Sequence, residues 1–272
     1  MIVNIDNNSK YDVILIAGQS NAIGCGKGVS EWKPTSEIMM LEGEYQENIF
    51  QDQQGKEQLE LKVADEYFLK EADERKKGEE KLGVFALSFA KRYAEKYLEE
   101  GRKVLLVQTS IGGTGFARGQ WGDGEILSER LYKMVDQALL MNKENKLVAV
   151  LWHQGEHDAF ENAELTDAER YDFYYDKLKF LVCKLRKKYD KVPFVSAGFV
   201  NQWVKQYVNR CEAVYLATEK VCTEDGNATF IRETFDLKSN DEVFSDGDDI
   251  HFSKESCKIL GERYFAEYEK MI

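Results

Sequence analysis

The sequence predicts an α/β protein in which helices cover both faces of a mostly parallel sheet, a three-layer α/β/α sandwich. Two observations predict it. Apolar runs rich in Val, Ile and Leu recur at 13–17, 103–108, 147–152, 193–198 and 228–231, each short and continuous enough for a strand buried on both faces. Helical patterns separate them, and strands that alternate with helices pair in parallel through right-handed crossovers. In order, the run 13–17 opens the sheet, and a span at 27–82 follows that is polar, charged and extended only at 37–42. This span reads as a long loop excursion over the active face, with 70–81 a solvated charged segment. A helix at 84–100 spaces Phe85, Phe89, Tyr93 and Tyr97 four apart and stops at Gly101. Further helices are expected at 126–141, 167–189, 204–222 and 253–271, the last opening on Ser253, a capping residue. No repeat or low-complexity linker divides the 272 residues, which read as a single domain over 1–272.

Composition excludes several functions. A formal net charge of −12 argues against a nucleic-acid partner, whose phosphates are met by clustered Lys and Arg. A small neutral substrate fits better. No run approaches membrane-spanning length and no signal peptide is visible, so neither a membrane partner nor export is expected. The five cysteines, at 25, 183, 211, 222 and 257, are odd in number and lack Cys-x-x-Cys spacing. Reduced thiols in the cytoplasm are the reading that follows.

Reactive side chains gather where strands end, the carboxyl edge at which open α/β sheets bind ligands. Ser20, in Gly18-Gln19-Ser20-Asn21, follows the first buried run and opens a helix, so it either caps that helix or exposes its hydroxyl as a nucleophile. Only three histidines serve the whole chain, His153, His157 and His251, which narrows any base-catalysed mechanism. In Asp248-Asp249-Ile250-His251 a carboxylate three residues before the imidazole can fold back on one ring nitrogen and leave the other to take a serine proton. In Trp152-His153-Gln154-Gly155-Glu156-His157-Asp158, Gln154 offers an amide donor and Gly155 a close backbone approach, both suited to holding an oxyanion. The same residues fit His-x-x-Glu-His, a zinc-hydrolase signature using His153, Glu156 and His157, although Gly155 sits poorly inside a helix. Gly112-Gly113-Thr114 can leave a backbone N–H pointing into a cleft, and no phosphate-cradling glycine motif is present.

Taken together, Gly18-Gln19-Ser20-Asn21, Gly112-Gly113-Thr114, Trp152-His153-Gln154-Gly155-Glu156 and Asp248-x-x-His251 resemble the sialate O-acetylesterase and acetylxylan esterase branch of the SGNH hydrolases. The resemblance spans nearly the whole chain. It implies a flavodoxin-like sheet of about five parallel strands and removal of acetyl groups from sugars without metal or other cofactor. On matching positions Ser20 is the nucleophile, His251 the base and later acid, and Asp248 its orienter, with Glu156 competing for that last role. The Ser20 N–H, the Gly113 N–H and the Gln154 side chain form the implied oxyanion hole. A small acetylated saccharide is the expected partner, gripped by Asn21 and by aromatics such as Trp32, Trp121, Trp203 and Tyr45. A non-catalytic carbohydrate-binding protein on the same scaffold is the remaining alternative. Two residues depart from the family pattern: Asp249 stands where glycine is common, and His157 where serine is common. The latter either adds a titrating group on the leaving-group side or faces solvent.

Overall fold

Alternate residues of the first long strand point to opposite faces, and the two faces meet different helical layers. The computed structural model describes residues 2–3, 6, 8–43, 57–66 and 81–272. Strand β2 (Lys10–Gly18) sends Tyr11, Val13, Leu15 and Ala17 into one apolar cluster and Ile14 and Ile16 into the other. The first cluster is closed by helices α3 (Ile126–Leu140), α5 (Asp167–Tyr189) and α7 (Val208–Asp225). The second is closed by α2 (Phe85–Tyr97) and α9 (Lys254–Glu269). The three-layer α/β/α sandwich is therefore present.

Among the described residues eight strands form one sheet, ordered β1-β4-β3-β5-β2-β6-β7-β8. Besides β2 these are β1 (Ile2–Val3), β3 (Ile38–Glu42), β4 (Leu59–Val63), β5 (Arg102–Gln108), β6 (Lys146–His153), β7 (Phe194–Ala197) and β8 (Ala228–Ile231). The five expected parallel strands are β2 and β5 to β8, and the sheet is wider than the expected five. β3 adds to it parallel to β5, and β4 pairs antiparallel to β3. The span 27–82, read from sequence as a loop excursion, thus contributes two strands. In β4 the alternation Leu59-Glu60-Leu61-Lys62 buries both leucines and leaves Glu60 exposed, a period of two in too short a run to stand out. Most of the charged segment 70–81 lies outside the described residues, as does Tyr45.

The helix expected at 204–222 is two helices, α6 (Asn201–Gln206) and α7, meeting at Tyr207, whose φ of −130° and ψ of 41° break the α geometry. Ser253 caps α9 as expected, its side chain accepting the Ser256 N–H.

The chain passes from β2 to neighbours on both sides of it, β5 on one flank and β6 on the other. The carboxyl end of β2 is thus a topological switch point, where loops part and leave a crevice. Gly18 allows the two strand ends to close there. Its φ is +135° and a Cβ in its place would lie 1.9 Å from the His153 carbonyl oxygen. Gly18→Ala combines that overlap with left-handed strain, and is expected to cost on the order of 3 kcal/mol or more in a denaturant titration.

Candidate active site

Three strand ends and one distant loop supply the site. β2 turns at Gln19, whose N–H donates to the His153 carbonyl (3.0 Å), straight into the single turn α1 (Ser20–Ile23). Ser20 is therefore the first residue of a helix, with its backbone N–H at the unpaired amino end. Gly112 and Gly113 follow β5, and Gln154 and Gly155 follow β6 into α4 (Glu156–Phe160). Neither the Ser20 nor the Gly113 N–H donates to an acceptor among the described residues.

His251 arrives from 231 residues away. Its Nε2 lies 2.8 Å from Ser20 Oγ, and its Nδ1 lies 2.7 Å from Asp248 Oδ1. The folding back of Asp248 is reinforced by the His251 N–H, which also donates to Asp248 Oδ1 (3.3 Å). The loop is anchored by α8 (Asn240–Phe244), which opens on a capping box between Ser239 and Glu242. Asn240, the first residue of that helix, donates through Nδ2 to Asp248 Oδ2 (2.8 Å) and to the Cys25 carbonyl (2.9 Å), while its Oδ1 accepts the Lys27 N–H. One buried amide thereby ties the nucleophile's loop to the carboxylate. Nothing in the motifs singled out Asn240; the Ser-x-x-Glu pattern around it was the available signal.

Burial works against charge on Asp248, but the hydrogen bond and charge of His251, then Asn240 and Lys27, outweigh it and hold its pKa at about 2. Burial likewise opposes a proton on His251, yet the Cys25 side chain and the Asp248 carboxylate facing the ring raise its proton affinity above that of an ordinary histidine. Cys25, buried with its Sγ 3.4 Å from the Ser20 carbonyl, is a neighbour of the pair that the motifs did not reveal.

Several expected residues sit elsewhere. Glu156 does not reach His251: its Oε1 accepts from Asn21 Nδ2 (2.7 Å) and lies 3.4 Å from His153 Nε2, all fully or nearly fully buried. Burial opposes its ionisation, but His153 and Asn21 keep its pKa below the usual glutamate value. Asn21, expected to grip substrate, is 2% exposed, and its amide also binds the Ile250 carbonyl and the Phe252 N–H. It locks the His251 loop from below and does not face the cleft. Gln154, expected in the oxyanion hole, is also 2% exposed; its Nε2 donates to Asp158 Oδ2 (2.5 Å) and lies within reach of Gln19 Oε1 and the Thr114 carbonyl. The bond to Asp158 takes one of its two hydrogens, while the contacts to Gln19 and Thr114, at 3.3 and 3.4 Å, are long.

Trp121 is fully buried, packs edge-on against Trp152 and donates to Thr114 Oγ1 (3.0 Å), a core residue and not a sugar platform. Trp32 donates to the Ala64 carbonyl (3.2 Å) and lines a cleft with Leu87, Lys254 and Lys258 to which neither Ser20 nor His251 contributes. The zinc-hydrolase pattern does not assemble. His153 is buried against Tyr264, His157 points toward Gly113, and among the described residues no three His, Cys, Asp or Glu side chains form a metal-holding group.

A polar chain of carboxylate, imidazole and hydroxyl beside two unpaired N–H groups is equipped for acyl transfer. Among solved structures the chain is similar to NanS, with a TM-score of 0.73 at 17% identity, covering 96% of this chain and 97% of that one. A protein from Arabidopsis thaliana superposes with a TM-score of 0.70 at 18% identity over 96% and 98% of the two chains. A catalytic mutant of Axe2, an acetylxylan esterase from Geobacillus stearothermophilus, gives a TM-score of 0.51 at 16% identity over 97% and 96%. At these identities the likeness speaks for the fold. No curated protein matches the sequence. The family profile described as carbohydrate esterase, sialic acid-specific acetylesterase, matches residues 10–270. The chain belongs to that family of carbohydrate esterases, carboxylic ester hydrolases that remove O-acetyl groups from sugars.

Proposed function

We propose that Ser20 is the acetyl-accepting nucleophile, His251 its general base and acid, and Asp248 the orienting carboxylate, acting on a small acetylated saccharide. The hydrogen-bonded line from Asp248 through His251 to Ser20, at 2.7 and 2.8 Å, carries this reading. His251 Nε2 takes the Ser20 proton as Oγ attacks the acetyl carbonyl, and the charge that develops on oxygen meets the Ser20 and Gly113 N–H groups. The tetrahedral centre collapses, the sugar oxygen leaves with the proton from His251, and the acetyl group stays on Ser20. Water then repeats the sequence, giving its proton to His251, releasing acetate and restoring the serine. Gln154, held by Asp158, shapes the wall of the hole from behind. The family's sialic acid and the acetylxylan esterase similarity give two sugar classes, O-acetylated sialic acid and acetylated xylo-oligosaccharides. Acetate release from one of them by the purified protein is expected; hydrolysis of aryl acetates alone would overturn the sugar assignment. The five unpaired cysteines, four of them buried, favour a cytoplasmic setting for this activity.

The raised proton affinity of His251 gives a signed prediction. Only the neutral ring accepts the Ser20 proton, so activity is lost as pH falls through the His251 pKa, which lies above about 6.5. A pH profile of kcat/KM is expected to show its acidic limb above that value, and Cys25→Ala to move the limb downward. A limb below it in the unmodified protein contradicts the assignment.

A further inference from the structure

The catalytic edge carries a histidine that ester cleavage leaves unused. His157 is the second residue of α4, and its N–H reaches Gln19 Oε1 (3.3 Å), one residue before the nucleophile. Its ring stands beside the oxyanion loop: a Cβ placed on Gly113 would lie 3.9 Å from His157 Cε1. The ring is half-buried, its Nδ1 is buried without a partner, and its Nε2 makes no hydrogen bond among the described residues. Burial, then the charge of Arg118, lowers its pKa, so the imidazole is neutral near pH 7 and offers a hydrogen bond without a charge.

Three residues on, along the same helical face, Phe160 is 46% exposed. It is propped by Trp203 (ring centroids 6.2 Å) and edge-on by Tyr207 (5.7 Å). The helix that bears Trp203 is itself pinned to the catalytic loop. Gln206 Nε2 donates to Asp249 Oδ2 (2.5 Å), and Gln202 Nε2 to Asp241 Oδ2 (2.7 Å). Asp249, the other departure from the family pattern, is thereby a strut between the aromatic ledge and the His251 loop.

We infer that His157 and Phe160 form the subsite for the departing sugar, a pyranose whose C–H face stacks on Phe160 while a hydroxyl beside the scissile ester bonds His157 Nε2. The inference rests on the serine esterase reading. A neutral ring edge next to an aromatic face is the pairing a pyranose presents, alternating hydroxyls around an apolar face.

The test uses the deacetylated sugar as a competitor of para-nitrophenyl acetate hydrolysis, with xylobiose and N-acetylneuraminate as separate arms to tell a neutral from an acidic pyranose. One of them is expected to inhibit the unmodified protein competitively, and Phe160→Ala and His157→Ala each to weaken that inhibition about fivefold. Phe160→Tyr, which keeps the stacking face, is expected to restore it. On the acetylated sugar the same alanine variants raise KM with kcat held within about twofold, the sign of lost ground-state binding. The subsite is overturned if neither sugar competes, if inhibition is unchanged in both alanine variants, or if Phe160→Tyr binds as weakly as Phe160→Ala. Acetylation of Ser20 during turnover separates the two levels: present without sugar competition, it removes the subsite alone; absent, it removes the esterase reading beneath it.

Discussion

Ser20→Ala is expected to lower kcat for acetyl esters by about 10⁴–10⁶-fold while leaving the fold intact. The hydroxyl is the only group in the line able to hold the acetyl carbon, so its loss removes the covalent route and leaves only what the two unpaired N–H groups do for attack by water. Its structural role is small, since among the described residues Oγ makes its hydrogen bond with His251 alone (2.8 Å), and one partly buried hydrogen bond is worth about 1 kcal/mol. Steady-state kinetics on acetylated sugar and aryl acetate, with a denaturant titration beside them, check both halves. Full activity in the variant contradicts the mechanism.

Asp248→Asn and Glu156→Ala are expected to fail in opposite ways. The asparagine presents its neighbours with the wrong hydrogen-bonding pattern and removes the charge that favours the imidazolium, which costs about 10⁴-fold in kcat in comparable triads. Stability falls as well, because the carboxylate that the fold holds at a pKa of about 2 loses its charge contacts with His251 and Lys27, but the fall is small beside the loss of kcat. Glu156→Ala instead strips the acceptor from Asn21 Nδ2 in a fully buried place and opens a cavity behind the His251 loop. A loss on the order of 2 kcal/mol of stability is expected there, with a smaller fall in kcat. The reverse pattern, a catalytic collapse for Glu156→Ala and a mild effect for Asp248→Asn, would make Glu156 the orienting group.

The parts of this molecule legible in the sequence share a physical property: they are short-range. The continuous runs behind β2, β5 and β6 announce strands buried on both faces, and the spacing of Asp248 and His251 announces a loop that folds back on itself. What escaped is set by distance through space. Asn21 looked like a substrate contact because it follows the nucleophile, yet it faces downward into Glu156, 135 residues away. Gln154 has the amide an oxyanion hole wants, but Asp158 on the next helical turn takes one of its hydrogens. Trp121 could not be told from a sugar platform until Trp152 was found packed against it. β4 was missed because five alternating residues are a weak signal and its pairing is antiparallel to a strand that had itself looked isolated. Cys25 and Asn240 carry no motif of their own; each matters only because the fold brings it against the His251 loop.

The most direct measurement quenches the protein with acid during turnover of an acetylated sugar and locates the acetyl group by peptide mass spectrometry. Acetyl on the peptide bearing Ser20, appearing before steady state and absent in Ser20→Ala, is the predicted result. Turnover with Ser20 unmodified, or with the acetyl group on another side chain, would contradict the account.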